Sequence, residues 1–258
     1  MIYFMKKIKA FLNRVLGQRA YLQLTSRLFF FYFKNGLLKN NPSYFTHYFV
    51  KKFLHKGDTI IDIGANLGYY SVQFAKLTGA AGKVYSVEPI ELYRGVLKKN
   101  LASFKNVEIL PFALGEKAGT IKMGNPTTDK HRHGLMRVLD EKESKVEEQV
   151  YEVQMINPTE LFSHLPVIHY IKCDIEGYEV PVIPAMQPLI QKHRPIMQIE
   201  TDGENKKILF DMFHQLAYDM FYVKQDILVS YRDAAMHLPG DLIAIPSEKT
   251  ISFKHWFR

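Results

Sequence analysis

A glycine-rich segment, Asp62-Ile-Gly-Ala-Asn-Leu-Gly68, follows a short β-branched run and precedes a stretch with helical periodicity. Glycine at such a junction lets the backbone turn sharply and lets a ligand approach it closely. The order Gly64-x-Asn66-x-Gly68 matches neither the dinucleotide fingerprint G-x-G-x-x-G nor a phosphate loop ending in Gly-Lys-Ser/Thr. The segment alone indicates a ligand-binding turn, with an ordinary tight turn as the alternative.

Acidic residues stand where two further predicted strands end. Glu88 lies twenty residues after Gly68, and an acid at that place typically accepts hydrogen bonds from ribose hydroxyls. It indicates an adenosine-containing ligand, against the alternative of a surface glutamate before Pro89. Asp174 and Glu176 follow an apolar strand, which favours a crevice over the core because burying unpaired carboxylates is costly. Close carboxylates also push their pKa values apart, and the raised one can serve as a general base.

Alternating strands and helices must hold these residues from Asp58 onward. Their βαβαβ order is typical of a parallel, doubly wound sheet. The segment from Gly115 to about Val153 breaks the alternation, with a predicted hairpin at Gly119–Met123 and a polar loop. The predicted strands are Thr59–Ile63, Lys83–Val87, Val107–Leu110, Ile168–Cys173, Ile196–Glu200, Tyr218–Val223 and Leu242–Ile245, and the predicted helices between the first strands are Leu67–Leu77 and Leu92–Leu101.

The positive charge of the chain is concentrated at one end. The formal net charge is +8, yet residues 1–57 hold eleven Lys/Arg and no acid, and the remainder holds 23 Lys/Arg against 26 Asp/Glu. A basic segment on a mildly acidic domain indicates contact with an anionic surface rather than a domain that clamps nucleic acid. The apolar content of 47 % argues against disorder. The single cysteine, Cys173, excludes an intrachain disulfide and favours a cytoplasmic compartment.

Residues 1–16 place apolar side chains at helical spacing, with most of the Lys and Arg off that stripe. This pattern is typical of a helix lying in a membrane interface, and the alternative is a helix that packs its stripe on its own domain. Further helices are predicted from about Ala20 to Lys34 and from Asn41-Pro-Ser43 to near His55. We therefore expect a basic amphipathic helical extension over residues 1–55 and one domain over residues 56–258. No stretch reaches the roughly 18 continuous apolar residues of a spanning helix.

Several ordered blocks closely resemble those of FkbM-family methyltransferases. They cover about Lys56 to Pro246 in the right order, which is more specific than any single block, and the first 50 residues lie outside them. The matching segments are Asp58–Ser71, Val87-Glu-Pro89, Pro111–Glu116, Ile171–Glu179 with its D-x-E-G turn, and Gly240–Ile245.

The resemblance implies S-adenosylmethionine (SAM) as cofactor and assigns residues to its parts. The turn residues Asp62, Gly64, Asn66 and Gly68 would lie under the methionine part of SAM. Glu88 would hold the ribose, and Phe112 and Ala113 would lie beside the adenine. Asp174 and Glu176 would stand beside the sulfonium and the acceptor, with Asp174 also counted as a cofactor contact. The placement agrees with the rule that ligands of open α/β sheets bind beyond the carboxyl ends of the strands.

The fold that the resemblance implies is α/β and Rossmann-like, of the class I methyltransferase type. It has a mostly parallel seven-stranded sheet, closed by the antiparallel pair Tyr218–Val223 and Leu242–Ile245, plus the N-terminal helical extension. The expected reaction is O-methyl transfer to a hydroxyl of a sugar, a glycolipid or a small natural product. Asp174 would accept or orient that hydroxyl and Glu176 would support binding, unless both acids only hold SAM and fix the turn.

Three other functions remain as alternatives. A nicotinamide-dependent reductase is disfavoured by the missing G-x-G-x-x-G. A non-catalytic SAM-fold or membrane-surface binding protein would leave the carboxylates idle. An RNA methyltransferase would use the basic segment for phosphate contact, although no aromatic RNA-reading motif accompanies it.

Other polar residues are weaker candidates. His131 and His133 lie in the loop Gly124–Arg137, which we interpret as solvated, and no metal site is predicted because no further ligand cluster is evident. The weaker candidates for the acceptor pocket are Tyr178, Glu179, Glu200 and Tyr231. We expect a cytoplasmic protein, in peripheral contact with an anionic membrane at the inner face through residues 1–34, acting on a small-molecule or glycan acceptor.

Overall fold

The computed structural model describes residues 11–125, 136–140, 142–146, 149–200, 205–232 and 241–257. The expectations for residues 1–10, for His131 and His133 and for Gly240 lie outside the described residues. The described strands form an eight-stranded sheet and a separate four-stranded sheet. In chain order they are β1 (Thr59–Ile63), β2 (Lys83–Val87), β3 (Val107–Leu110), β4 (Ala113–Leu114), β5 (Gly119–Gly124), β6 (Arg137–Val138), β7 (Val150–Ile156), β8 (Tyr170–Cys173), β9 (Ile196–Ile199), β10 (Tyr218–Lys224), β11 (Ile227–Ser230) and β12 (Leu242–Pro246).

The large sheet has the strand order β11-β10-β12-β9-β8-β1-β2-β3. The five strands from β9 to β3 are parallel, whereas β12 runs antiparallel to both β9 and β10. Parallel neighbours need crossover connections, and these place the carboxyl ends of β1, β2, β8 and β9 at the same edge. That edge is where the sequence places its glycines and acids.

Alternating side chains of the central strands build a core on each face of the large sheet. Ile61 and Ile171 belong to a buried cluster on one face, and Ile60 and Tyr170 belong to a cluster on the other. Burial on both faces explains why these strands are nearly continuous apolar runs. The helices are α1 (Gln18–Lys34), α2 (Phe45–Phe49), α3 (Ser71–Thr78), α4 (Glu91–Leu101), α5 (Glu143–Val146), α6 (Pro158–Phe162), α7 (Glu179–Val182), α8 (Gln187–His193), α9 (Asn205–Gln215) and α10 (Ser247–Thr250).

The predicted fold class is confirmed, with one strand more than predicted. Tyr218–Lys224 and Leu242–Pro246 pair antiparallel, but Ile227–Ser230 lies between them in the chain and adds an eighth, edge strand beside β10. The predicted helix Leu67–Leu77 begins only at Ser71, because the residues before it form the turn that carries the glycines. The third predicted N-terminal helix is divided into a 3₁₀ turn at Pro42–Tyr44, α2, and a 3₁₀ turn at Val50–Lys52.

The predicted hairpin at Gly119–Met123 is wrong. That segment is one strand, β5, whose long partner is β7, and the two strands form the small sheet with β4 and β6 in the order β4-β7-β5-β6. The alternating pattern identified a strand correctly, but its partner lies some 26 residues further along the chain, and local periodicity does not choose a partner.

The segment predicted as an N-terminal extension shares the core of the domain. Phe49 and Val50 are fully buried in the same cluster as Ile60 and Phe74. Helix α1 packs on α4, where the amide of Gln23 donates a 2.6 Å hydrogen bond to Asn100. Residues 18–54 therefore have no hydrophobic core separate from that of the sheet. Among the described helices, none combines the length and apolar character needed to span a bilayer.

We expect Phe49→Ala to lower the free energy of unfolding by about 3–5 kcal/mol, because the truncation leaves a cavity in a closely packed core. The matched control is Phe31→Ala, since Phe31 is 59 % exposed and its removal should stay within about 0.5 kcal/mol. Urea unfolding of both full-length variants measures the difference. Equal, small effects would show that the N-terminal segment is not docked.

Candidate active site

The turn after β1 approaches the end of β8 so closely that only glycine fits. Gly64 has a φ of 77°, and a Cβ on it would lie 1.8 Å from the carbonyl oxygen of Asp174. The amide of Asp174 in turn donates a 3.1 Å hydrogen bond to the carbonyl of Ile63. These contacts place the glycine turn beside the carboxylates that follow β8.

A cavity of about 220 Å³ lies at this edge of the sheet. It brings together six of the residues predicted from the sequence, which come from the turn after β1 and the ends of β2 and β8. They are Asp62, Gly64, Asn66, Glu88, Asp174 and Glu176. Its remaining walls include aromatic and apolar side chains, among them Tyr69, Tyr70, Ile90 and Tyr93.

Three of the predicted residues lie outside this cavity. Phe112 and Ala113 line a smaller space of about 30 Å³, which shares Gly64 and Pro89 with the larger one. Gly68 has a φ of 89° and lies against α4, where a Cβ would come within 2.8 Å of Leu97. Because glycine has no side chain, the turn can pack closely on that helix.

Glu88 is almost fully buried at the end of β2 and ties the turn to that strand. Its carboxylate accepts 2.8 Å hydrogen bonds from the backbone amides of Asn66 and Ile90. Burial raises the pKa of Glu88 to about 7, although the two amides act in the opposite direction. A buried acid held in this way presents a fixed acceptor wall, as ribose hydroxyls require.

Asp62 has one satisfied and one unsatisfied oxygen. Its Oδ2 accepts a 2.5 Å hydrogen bond from Ser71, whereas its buried Oδ1 has no hydrogen-bond partner among the described residues and lies 3.9 Å from the ammonium of Lys172. Burial raises the pKa of Asp62 above its usual value. An orphaned acceptor in the wall of a cavity fits a ligand that brings its own cation or N–H donor, as the methionine part of SAM does.

Lys172 is a buried cation that was not among the predicted site residues. Its side chain is 2 % exposed, and its Nζ lies 2.9 Å from Asp174 Oδ2. Burial opposes its charge, but Asp174, Asp62 and Asp241 outweigh that effect and hold the pKa of Lys172 above its usual value. The lysine is therefore charged and anchors the acidic wall. The signal that could have found it is a lone lysine inside the apolar strand β8.

Asp174 and Glu200 form a coupled pair in which one acid is ionised and the other is protonated. Burial works against the charge of Asp174, but the neighbouring Lys172 holds the pKa of Asp174 below its usual value. Burial, and then the charge of Asp174, raise the pKa of Glu200 to about 9. At neutral pH the pair therefore consists of an ionised aspartate and a protonated glutamate. Glu200 was a weaker candidate from the sequence, and the structure places it beside the predicted catalytic acid.

One carboxylate oxygen from each of Asp174, Glu176 and Glu200 lies within 4.8 Å of the others, a spacing that also suits a divalent cation. The carboxylates alone assign no metal. Glu179 fixes the turn instead, because its Oε1 accepts hydrogen bonds from the amides of Ile175 and Gly177.

Two of the weaker candidates have other surroundings. Tyr178 lines the smaller space with Phe112 and Ala113. Tyr231 stacks on Phe210 with ring centroids 3.7 Å apart and lines a different cavity, beside β10.

His47 enters the cavity from α2, upstream of every block that carried the family resemblance. Its ring stacks on Tyr70 at 3.8 Å, and its buried Nδ1 has no hydrogen-bond partner among the described residues. Burial, and then the charge of Lys172, lower the pKa of His47 to about 3, so the imidazole is neutral at physiological pH. Nothing in the local sequence marked this histidine, because its role depends on how the N-terminal segment docks.

Comparison with known proteins agrees with this geometry. The family described as the methyltransferase FkbM domain matches residues 62–220. The crystal structure of an FkbM methyltransferase from Methylobacillus flagellatus KT is similar with a TM-score of 0.51 at 15 % identity, over 90 % of this chain and 57 % of that one. The chain thus spans little more than half of that neighbour, and the likeness shows the fold.

Two further similarities are more limited. A protein-L-isoaspartate O-methyltransferase from Methanosarcina mazei is 39 % identical over 59 residues, which is 22 % of this chain and 24 % of that protein. Aeropyrum pernix fibrillarin, solved with natively bound SAM, aligns with a TM-score of 0.43 at 12 % identity, over 74 % of this chain and 67 % of that one. The family match, which covers more than half of the chain, decides the assignment: this protein belongs to the FkbM methyltransferases and has the class I fold of SAM-dependent methyltransferases.

Proposed function

We propose that the protein transfers a methyl group from SAM to a hydroxyl oxygen of a sugar, a glycolipid or a small natural product. The observation that carries the proposal is that Asp174 lines the cavity with a carboxylate oxygen within 4.8 Å of one of Glu200. The pKa of Asp174 is lowered and that of Glu200 is raised, so the pair combines an ionised acid with a protonated one. A hydroxyl is both a donor and an acceptor, and such a pair offers it one of each.

SAM supplies an activated methyl group, so the chain's own residues need only bind, orient and remove a proton. Asp174 accepts the hydrogen bond of the acceptor hydroxyl and so directs an oxygen lone pair toward the methyl group. Lys172 keeps Asp174 ionised but also makes it a weak base. A weak base suffices, because the oxygen becomes strongly acidic as it gains the methyl group, and correct orientation then supplies much of the rate.

Three other titratable groups in or beside the cavity are less suited to take the proton. His47 has a pKa near 3 and serves as a neutral wall. Glu88 has both oxygens engaged by backbone amides at the ribose position. Glu200 already holds a proton at neutral pH. Asp174 is therefore the group that we assign to the acceptor hydroxyl, with Glu176 supporting ligand binding beside it.

The proposed acceptor class rests on the family resemblance and on the acidic wall of the cavity. The compartment that we propose is the cytoplasm.

The test is incubation of the full chain with isotope-labelled SAM and fractionated glycans, lipids and RNA, followed by mass spectrometry of the labelled product. A methyl ether in the glycan or lipid fraction supports the proposal. Label confined to RNA, or no transfer by protein that binds SAM, would establish one of the alternative functions.

We expect Asp174→Asn to lower the rate of methyl transfer by about 10²–10⁴-fold, because the amide keeps the shape but cannot take a proton. The control is Asp241→Asn, which also removes a negative charge that acts on Lys172 but does not line the cavity. Single-turnover rates and calorimetric SAM binding should be measured for both variants. Undiminished turnover of Asp174→Asn would refute the assigned role. An equal loss in Asp241→Asn would show that the rate depends on the negative charge around Lys172 and not on proton acceptance by Asp174.

We expect Glu200→Gln to stabilise the ligand-free protein increasingly as the pH rises from about 5 to 9. An unfolded glutamate loses its proton near pH 4.3, whereas folded Glu200 keeps its proton up to about pH 9, so folding of the wild type weakens across that window. Glutamine has no proton to lose and escapes this dependence.

Thermal melts in EDTA at several pH values measure the gap in melting temperature between Glu200→Gln and wild type. The control is Glu116→Gln, which changes an exposed glutamate away from the cavity and should give a constant gap. A gap for Glu200→Gln that stays constant, or that reverses with pH, would contradict a protonated Glu200.

A further inference from the structure

Residues 11–37, which include helix α1, carry the main apolar surface of the described chain. Eleven large hydrophobic side chains are exposed in the described residues, and eight of them lie between residues 11 and 37. These eight are Phe11, Val15, Leu16, Leu24, Leu28, Phe31, Tyr32 and Leu37. Soluble monomers rarely concentrate exposed apolar side chains in this way unless something covers them.

The opposite side of α1 is already engaged by the domain. Tyr21 and Leu22 are buried, and Ser26 accepts a 3.0 Å hydrogen bond from the side chain of Asn100. The ring of Phe29 lies 4.5 Å from that of Tyr69 in the cavity wall. The helix therefore cannot rotate its outer face inward without losing these contacts.

The positive charge around this surface indicates an anionic partner. Residues 1–57 contain eleven Lys/Arg and no acid, and Arg14, Arg27, Lys34 and Lys39 are exposed along the same stretch as the apolar residues. A second copy of the chain would bring two acid-free basic surfaces together. An anionic bilayer instead accepts both components, because its headgroups pair with Lys and Arg while its acyl boundary accepts leucine and phenylalanine.

We propose that the outer face of α1 docks on an anionic lipid bilayer as an interfacial helix. The inner face of the same helix contacts Tyr69 and, through Phe29 at 5.7 Å, the ring of His47, and both residues line the cavity. Docking thus holds the cavity within one helix thickness of the lipid. If the proposed methyl transfer holds, lipid-linked acceptors become the favoured substrates, but the docking itself does not depend on it.

The test is co-sedimentation of the full chain with vesicles of phosphatidylcholine alone and with about one third phosphatidylglycerol, without SAM or acceptor. We expect binding to the anionic vesicles that weakens as salt rises from 0.05 to 0.5 M, where the screening length shrinks several-fold, and little binding to the neutral ones. Leu28→Ala/Phe31→Ala should lower the partition coefficient about tenfold or more, since buried apolar groups contribute most of interfacial affinity. Arg27→Gln/Lys34→Gln should lower it about tenfold on anionic vesicles alone.

The matched control is Ile208→Ala/Ile251→Ala, which removes two exposed apolar side chains outside the N-terminal segment and should leave binding unchanged. All variants change exposed residues, and unchanged melting temperatures verify that they fold. Three results would overturn the proposal: no sedimentation with anionic vesicles, an equal loss in the control, or a concentration-dependent dimer that Leu28→Ala/Phe31→Ala abolishes. Because the readout is lipid binding, its failure is distinguishable from a failure of methyl transfer.

Discussion

A buried row of polar side chains across the central sheet holds the site in place. The parallel register sets Ser86 beside Asp62, Asp62 beside Lys172, and Lys172 beside Gln198. Strands buried on both faces are ordinarily apolar, and an uncompensated charge among them would cost several kcal/mol. Lys172 is tolerated because the carboxylates of Asp174, Asp62 and Asp241 surround it. In turn, the charge of Lys172 keeps Asp174 ionised. The site is thus an electrostatic unit in which each member depends on the others.

The backbone supplies the second constraint, which is the closeness of the exits of β1 and β8. Because Gly64 lets the turn approach the Asp174 carbonyl, the glycine turn and the carboxylates that follow β8 share one cavity. Any side chain at Gly64 would separate them, and reacting atoms tolerate little displacement. Glu88 adds a third fixed point by accepting hydrogen bonds from Asn66 and Ile90, so the turn is tied to both neighbouring strands.

The sequence predicts well whatever depends on local pattern, and it fails where partners are distant. The strand ends that carry Glu88 and Asp174 were predictable because β-branched runs end there and acids follow. Lys172 was hidden because its environment is set by register with β1, and His47 because the N-terminal segment docks from outside the aligned blocks. The β5–β7 pairing was missed for the same reason, since the choice of a strand partner is made by the tertiary fold.

The N-terminal segment shows why a hydrophobic stripe alone could not be interpreted. Residues 29–33 are Phe-Phe-Phe-Tyr-Phe, and successive residues of an α-helix advance by about 100°, so five in a row cover the whole circumference. Whichever side docks on the domain, some of these rings must face outward. Phe29 faces the cavity wall and Phe31 lies 59 % exposed, as this geometry requires. A helix that is aromatic all round and acid-free throughout is suited to two neighbours, the protein on one side and an apolar, anionic phase on the other.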